Sequence, residues 1–261
     1  MDVKCILIER GIRATRSLGQ YFLTDEGVTA RMVEYAGVDR NDVVLEIGAG
    51  VGSVTEKLEA KAKKVYAVEK DRELCELLRE RYSAKGSVTE VIEGDFMKLT
   101  LPNFDKVVAS IPFSLSSAIT YKLMLHEAGF GLAVLLYQRE FAQKLIAEPR
   151  SKMYGRLSVI SQAFAEIELL EVVHRDAFYP APPVKTVIVR LKERAEWEKG
   201  EGLVGAKRKF FAFVTAAFDQ RRKKMGTIFK ASSLGGLARP ELAKRPEELK
   251  PEEFVNLANC M

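Results

Sequence analysis

Cysteine and histidine are scarce in this sequence. Cys5, Cys75 and Cys260 are odd in number, far apart and in no C-x-x-C arrangement, which argues against a disulfide framework and a cysteine zinc site. His126 and His174 stand without a thiol or carboxylate at ligand spacing, so no metal is expected. Long apolar runs are also lacking. Gly131–Tyr137 is among the longest, far short of the roughly 18 residues of a membrane span. The start, Met1-Asp2-Val3-Lys4-Cys5-Ile6-Leu7-Ile8, is too short and too acidic for a signal peptide. The expectation is a cytoplasmic protein with no membrane attachment.

What is present is the composition of a globular chain: 261 residues, 47% apolar and 30% charged, long enough to bury a substantial core. The net charge of +5 is unevenly placed. Lys207, Arg208, Lys209, Arg221, Arg222, Lys223, Lys224 and Lys230 face a single acid, Asp219, in that segment, which therefore carries +7 and leaves −2 for the rest. Positive charge gathered on a short stretch suits a phosphate backbone, although a solvated helix face has the same composition.

Between about Asp42 and Leu191, short β-branched runs alternate with amphipathic stretches. This predicts a doubly wound α/β fold, Rossmann-like. Strands are expected at Val43–Gly48, Lys64–Glu69, Val88–Ile92, Lys106–Ser110 and Gly131–Gln138. Helices are expected at Ser53–Lys61, Arg72–Tyr82 and Ser117–His126. Ile167–Val173 and Val184–Leu191 suggest an antiparallel addition at one edge. Glu193–Gly205 is rich in charge and glycine and reads as a linker. Beyond it, Ala206–Asp219 and Arg221–Ala231 read as helices, and Pro240, Pro246 and Pro251 punctuate two shorter ones. The division is a domain of residues 1–195 and a small all-helical C-terminal domain of 196–261.

Glu46-Ile47-Gly48-Ala49-Gly50-Val51-Gly52 lies where the first strand hands over to the first helix. Glycines there allow a tight turn and close approach of a ligand. Ser53 occupies the position where a dinucleotide fingerprint wants Gly or Ala, so a ligand without a pyrophosphate fits better. Glu69 ends the second strand, placed for ribose hydroxyls. Gly94-Asp95-Phe96 follows the third, with Asp95 placed for an adenine amine and Phe96 beside the ring. Three such groups at successive strand ends indicate an adenosine-bearing cofactor.

The next strand ends in Ser110-Ile111-Pro112-Phe113, where ligands of such sheets bind. A side-chain oxygen and a backbone carbonyl before a rigid proline offer two acceptors for an amine, and the following aromatic offers a stacking face. For a delocalised amine, catalysis of this kind is positioning and electrostatics.

With these segments placed, the sequence resembles the KsgA-type dimethyladenosine transferases of small-subunit ribosomal RNA, over nearly its whole length. The matching segments include Leu18-Gly19-Gln20-Tyr21-Phe22-Leu23, the glycine run, Glu69, Gly94-Asp95-Phe96, Gln138–Phe141 and Tyr154-Gly155-Arg156-Leu157-Ser158-Val159. Ala177-Phe178-Tyr179-Pro180-Ala181-Pro182-Pro183-Val184 is similar to the family's F-x-P-x-P-x-V loop, and Ala217–Lys224 to its F-x-Q-R-R-K signature. The resemblance implies S-adenosylmethionine as cofactor, held by Gln20, Tyr21, Leu23, Gly48, Gly50, Glu69, Asp95, Phe96 and Ser110. It implies catalysis at Ser110, Ile111, Pro112, Phe113 and Phe178, with Phe113 and Phe178 sandwiching an unstacked adenine. It implies RNA contacts at Lys207, Arg208, Lys209, Arg221, Arg222, Lys223 and Lys224. The expected partner is small-subunit ribosomal RNA in a pre-30S-like particle, and the expected state a monomer. Two positions depart: the family usually has Asn where Ser110 stands, and Asn or His where Tyr21 stands.

Three rivals share these features. A ribosome-assembly factor with weak or no catalysis would keep the RNA surface and is favoured by Ser110. An adenine methyltransferase for large-subunit RNA would share most motifs. A small-molecule methyltransferase would leave the basic segment without a purpose.

Overall fold

A computed structural model describes residues 3–12, 14, 19–195, 203–236 and 238–260 of the chain. In chain order the elements begin with α1 (Val3–Glu9), β1 (Phe22–Leu23), α2 (Glu26–Tyr35), β2 (Val43–Ile47), α3 (Ser53–Glu59), β3 (Lys64–Glu69) and α4 (Arg72–Arg81). Then come β4 (Thr89–Glu93), β5 (Lys106–Ala109), α5 (Ser116–Met124), β6 (Leu132–Gln138), α6 (Arg139–Leu145) and α7 (Arg156–Phe164). The last are β7 (Ala165–Val173), β8 (Phe178–Tyr179), β9 (Thr186–Glu193), α8 (Leu203–Asp219), α9 (Met225–Ile228) and α10 (Pro251–Ala258).

Seven strands form one sheet in the order β4-β3-β2-β5-β6-β9-β7. β4, β3, β2, β5 and β6 pair in parallel, and β9 joins β6 antiparallel, with Leu135 opposite Val189. Central strands are buried nearly end to end, as in Val44, Leu45, Glu46 and Ile47 of β2, because helices cover both faces of a parallel sheet. The edge strands β4 and β7 are polar and partly exposed. The doubly wound α/β expectation holds, including the antiparallel addition at one edge. Helix starts follow the sequence chemistry: Asp25 accepts from Val28 N at 3.0 Å to cap α2, and Asp71 from Glu73 N at 3.0 Å to cap α4.

Two compact units emerge: Met1–Leu123 with Phe130–Arg139 and Glu168–Lys192, and Met124–Gly129 with Glu140–Ile167 and Glu193–Met261. The second thus takes in the stretch 140–167 besides the C-terminal helices, where the sequence suggests a linear division at 195. Its core is aromatic: Phe164 packs on Phe210 at 5.5 Å, Phe213 on Phe229 at 4.7 Å, and Phe218 stacks on Phe254 at 5.8 Å. Tyr154 Oη donates to Leu249 O at 2.6 Å.

Three expectations are corrected in this unit. Residues 196–202 of the expected linker lie outside the described residues, and α8 already begins at Leu203. Arg221–Ala231 is not one helix. The chain turns at 220–223, Lys224 is extended (φ −71°, ψ 148°), and α9 spans only Met225–Ile228. The apolar stripe of α8, Phe210, Phe213, Val214 and Ala217, ends before the polar run Asp219–Lys224, which has nothing to bury. The prolines Pro240 and Pro246 open single 3-10 turns, and Pro251 opens α10. Among the described residues no helix is long and apolar enough to cross a membrane.

Candidate active site

A cavity of about 450 Å³ opens in the first unit beyond the carboxyl ends of β2, β3 and β5, where such sheets bind ligands. Gln20, Tyr21, Leu23, Gly48, Gly50, Glu69, Asp95, Phe96 and the whole Ser110-Ile111-Pro112-Phe113 turn line it. Residues as far apart in sequence as Gly19 and Ile119 therefore face one space.

The glycine loop follows from its backbone. Gly50 has φ 59°, and a Cβ there would lie 3.2 Å from Phe22 Cδ1, so a side chain would be both strained and crowded. The freed amide is used: Gly50 N donates to Glu69 Oε2 at 2.8 Å. Glu69 Oε1 accepts from Lys70 N at 2.7 Å and Asp71 N at 2.9 Å. Burial pushes the Glu69 carboxyl up and these three amides pull it back.

Asp95 Oδ1 accepts from Met97 N at 3.0 Å, and Oδ2 lies 3.2 Å from Lys70 Nζ. The Met97 amide and then Lys70 hold this carboxyl below its usual range. The turn that carries Asp95 is pinned by Lys122, whose ammonium donates to the carbonyls of Phe96 and Leu99 (2.7 Å to Leu99 O) and lies 4.9 Å from the Phe96 ring centre. Burial lowers the Lys122 pKa. Sequence reasoning missed Lys122. It lies in the second turn of α5, and nothing in its spacing marks it.

Glu46 was also missed as a participant. It is 1% exposed, lines the cavity, and accepts from Thr55 Oγ1 at 2.6 Å. Burial, with Glu69 nearby, pushes its carboxyl up to about 8. An acid inside an otherwise apolar strand, VVLEIG, was the available signal. Glu69 and Asp95 offer the cavity carboxyl acceptors and Lys70 also lines it, while Glu46, its carboxyl pushed up to about 8, is a neutral acid near pH 7. Such a lining fits a ligand that carries hydroxyl and amine donors.

Beside the Ser110–Phe113 turn three rings meet, of which Tyr21 and Phe113 line the cavity and Phe178 lies behind its lining. Tyr21 stacks on Phe113 (5.5 Å between centres, 26° between planes), and Phe178 meets Phe113 edge to face at 6.4 Å and 66°. Phe178 is 3% exposed and is held by strand pairing, Leu23 opposite Phe178 and Phe22 opposite Tyr179. The Gln20–Leu23 segment and the Phe178 loop, distant in sequence, are thus tied together by β1 and β8. The Phe113 and Phe178 rings touch each other, so a base between them requires one ring to turn.

The model of the ribosomal RNA adenine dimethylase family matches residues 11–248. The chain belongs to that family. It is 40% identical over 252 residues to the probable ribosomal RNA small subunit methyltransferase A of Methanosarcina barkeri, covering 92% of this chain and 85% of the relative. The protein of that name from Thermococcus gammatolerans is 38% identical, with 97% and 91% covered. Among solved structures, a dimethyladenosine transferase from Plasmodium falciparum superposes with a TM-score of 0.77 at 27% identity, covering 90% of this chain and 95% of that one. The 23S rRNA methyltransferase ErmE superposes at 0.65 and 29%, covering 92% and 98%.

The seven basic residues singled out from the sequence have different fates. Lys207 is not placed to meet RNA: it is 1% exposed, and its ammonium lies 2.6 Å from Glu193 Oε1, itself buried. It falls on the inner side of α8, one turn before Phe210. Arg208 and Lys209 are exposed on the same helix, and Arg221, Arg222, Lys223 and Lys224 are exposed in the turn beyond it. Arg221 Nε lies 2.5 Å from Glu247 Oε2, and Lys223 Nζ donates to Gln220 Oε1 at 2.9 Å. Leu18, the first residue of the dimethylase entry motif, lies outside the described residues.

Proposed function

We propose that this chain transfers methyl groups from S-adenosylmethionine to the N6 amines of two adjacent adenines in the 3′-terminal hairpin of small-subunit ribosomal RNA. It would do so in the cytoplasm, as a monomer, on a pre-30S-like particle. The observation that carries this reading is the opening of one cavity onto both the acid-and-glycine wall and the Ser110–Phe113 turn.

The carboxyl acceptors of the lining fit the cofactor. Glu69 would take the ribose hydroxyls with its remaining lone pairs, Asp95 and Phe96 the adenine, and Gly48, Gly50, Gln20 and Leu23 the rest of the wall. Bound there, S-adenosylmethionine supplies an electrophilic methyl on a sulfonium. The chain's own work is on the acceptor base. Ser110 Oγ and the Ile111 carbonyl accept from the N6 hydrogens, which localises the nitrogen lone pair. Pro112 fixes the direction of that carbonyl. Phe113 gives the base a stacking face, and Phe178 backs it. No strong base is required: alignment and acceptors placed where positive charge develops on N6 favour the transfer, the sulfonium–methyl bond would break to leave a neutral thioether, and the acidic methylated nitrogen would then lose its proton to water.

The unit containing the cavity is the catalytic one in this reading, and the C-terminal segment meets the RNA through Arg208, Lys209, Arg221, Arg222, Lys223 and Lys224. The relatives from Methanosarcina barkeri and Thermococcus gammatolerans, both bearing the name of a small subunit methyltransferase, support a small-subunit over a large-subunit substrate. The test is uptake of labelled methyl from S-adenosylmethionine by unmodified small subunits and, in parallel, by 23S RNA. Preference for small subunits is expected; labelling of 23S RNA alone would overturn the assignment.

A further inference from the structure

Tyr21 lines the cavity and stacks on Phe113, the ring that also meets Phe178. We propose that Tyr21 is a positioning residue: it covers one face of Phe113, so that the acceptor adenine stacks on the other. This deepens the proposed function and rests on Phe113 being the stacking platform.

Several observations converge on this role. Tyr21 and Phe113 are nearly parallel, 26° apart, with centres 5.5 Å apart. That is an offset stack with no room for a base between them. Phe178 meets Phe113 edge to face at 6.4 Å. Phe113 is thus braced by one ring on its face and by another at an edge. The segment carrying Tyr21 is itself held against the catalytic turn. Gly19 has φ 71°, and a Cβ there would lie 3.2 Å from Ser114 Oγ and 3.5 Å from Phe113 N. Two residues beyond Tyr21, Leu23 pairs with Phe178. The backbone carrying Tyr21 is therefore held by a close approach two residues before it and by a strand pair two residues after it, and its ring stacks on Phe113. Phe113 opens a single 3-10 turn, Phe113–Leu115, and has no long element of its own to hold its ring. A stacked neighbour supplies that restraint.

The role is tested by steady-state transfer to small subunits together with equilibrium cofactor binding, for Tyr21→Ala, Tyr21→Leu, Tyr21→Phe, Phe113→Ala and the double variant Tyr21→Ala/Phe113→Ala. The expected result is a three- to tenfold loss of kcat in Tyr21→Ala, with the Kd for S-adenosylmethionine within about twofold of the parent. Tyr21→Leu, which fills the space without a flat face, loses as much, and Tyr21→Phe recovers most of the loss. If the ring acts through Phe113, adding Tyr21→Ala to Phe113→Ala costs nothing further. Unchanged turnover in Tyr21→Ala or Tyr21→Leu, a full additive loss in the double variant, or a cofactor Kd that rises by the whole factor would overturn the inference. Full activity in Phe113→Ala would overturn the base-stacking reading and this inference with it; an impaired Phe113→Ala with normal Tyr21 variants overturns the inference alone.

Discussion

Glu46 is a buried acid whose titration reaches the stability of the fold. Its folded pKa, about 8, lies above the usual value of 4.5. Its contribution is therefore fully present below about pH 4.5 and is lost as pH rises to about 8, where a charge must be carried in the interior. At 1.36 kcal/mol per pH unit this corresponds to roughly 5 kcal/mol by the end of that window. Glu46→Gln should flatten the pH dependence of the cofactor-free melting temperature between pH 5 and 8 relative to the parent. Parallel slopes for the two proteins would contradict this account. Ser110 makes the second residue-scale claim. Ser110→Ala removes an acceptor for the N6 hydrogens and should lower kcat roughly 10- to 100-fold, as expected for a hydrogen bond to a group that gains charge. Cofactor affinity should change little; a variant with parental kcat would remove Ser110 from the mechanism. Glu69 and Ser110 are legible in the sequence because each closes an apolar run at a strand end, and Asp95 because it follows a glycine just past one. Glu46 is marked only as an acid inside an apolar strand, and Lys122 is not marked at all, because its role depends on what packs over it.

At the scale of elements, strands are legible where burial on both faces leaves only one kind of residue. Lys64–Glu69 coincides with its expected span, and β2, β5 and β6 lie within a residue of theirs. Arg221–Ala231 misleads because helix propensity without an apolar face is not enough to continue a helix. Lys207 misleads for the opposite reason. Position 207 precedes Phe210 by three and Val214 by seven, so the helical period turns it inward with the apolar stripe, toward Glu193. Lys207→Met should destabilise the protein by about 3–5 kcal/mol by removing the buried ammonium that faces Glu193, and Lys207→Met/Glu193→Leu should recover most of that in denaturant titrations. If Lys207→Met instead weakened RNA binding with stability unchanged, the buried pairing would be wrong. The glycine loop makes the matching claim for the cofactor wall. Gly50→Ala places a methyl at φ 59° and 3.2 Å from Phe22. It should cost about 1–2 kcal/mol in backbone strain and weaken S-adenosylmethionine binding measurably by calorimetry.

On the scale of the molecule, charge and chemistry fall in different compact units: the cavity in one, the exposed basic turn in the other. The unequal charge distribution is readable from the sequence, but the composition of the second unit is not, because 140–167 joins it from the middle of the chain. If Arg208, Lys209, Arg222 and Lys224 meet phosphates, replacing them by alanine should reduce the slope of log K against log salt by about one per lost contact. The cofactor Kd should stay at the parental value. The central claim concerns the reaction itself. Unmodified small subunits would be incubated with the protein and S-adenosylmethionine, and their RNA digested to nucleosides and resolved by mass. The account predicts N6,N6-dimethyladenosine, approaching two per subunit, formed by the chain with serine at position 110. Bound cofactor and bound subunits with no methylated adenine would contradict it.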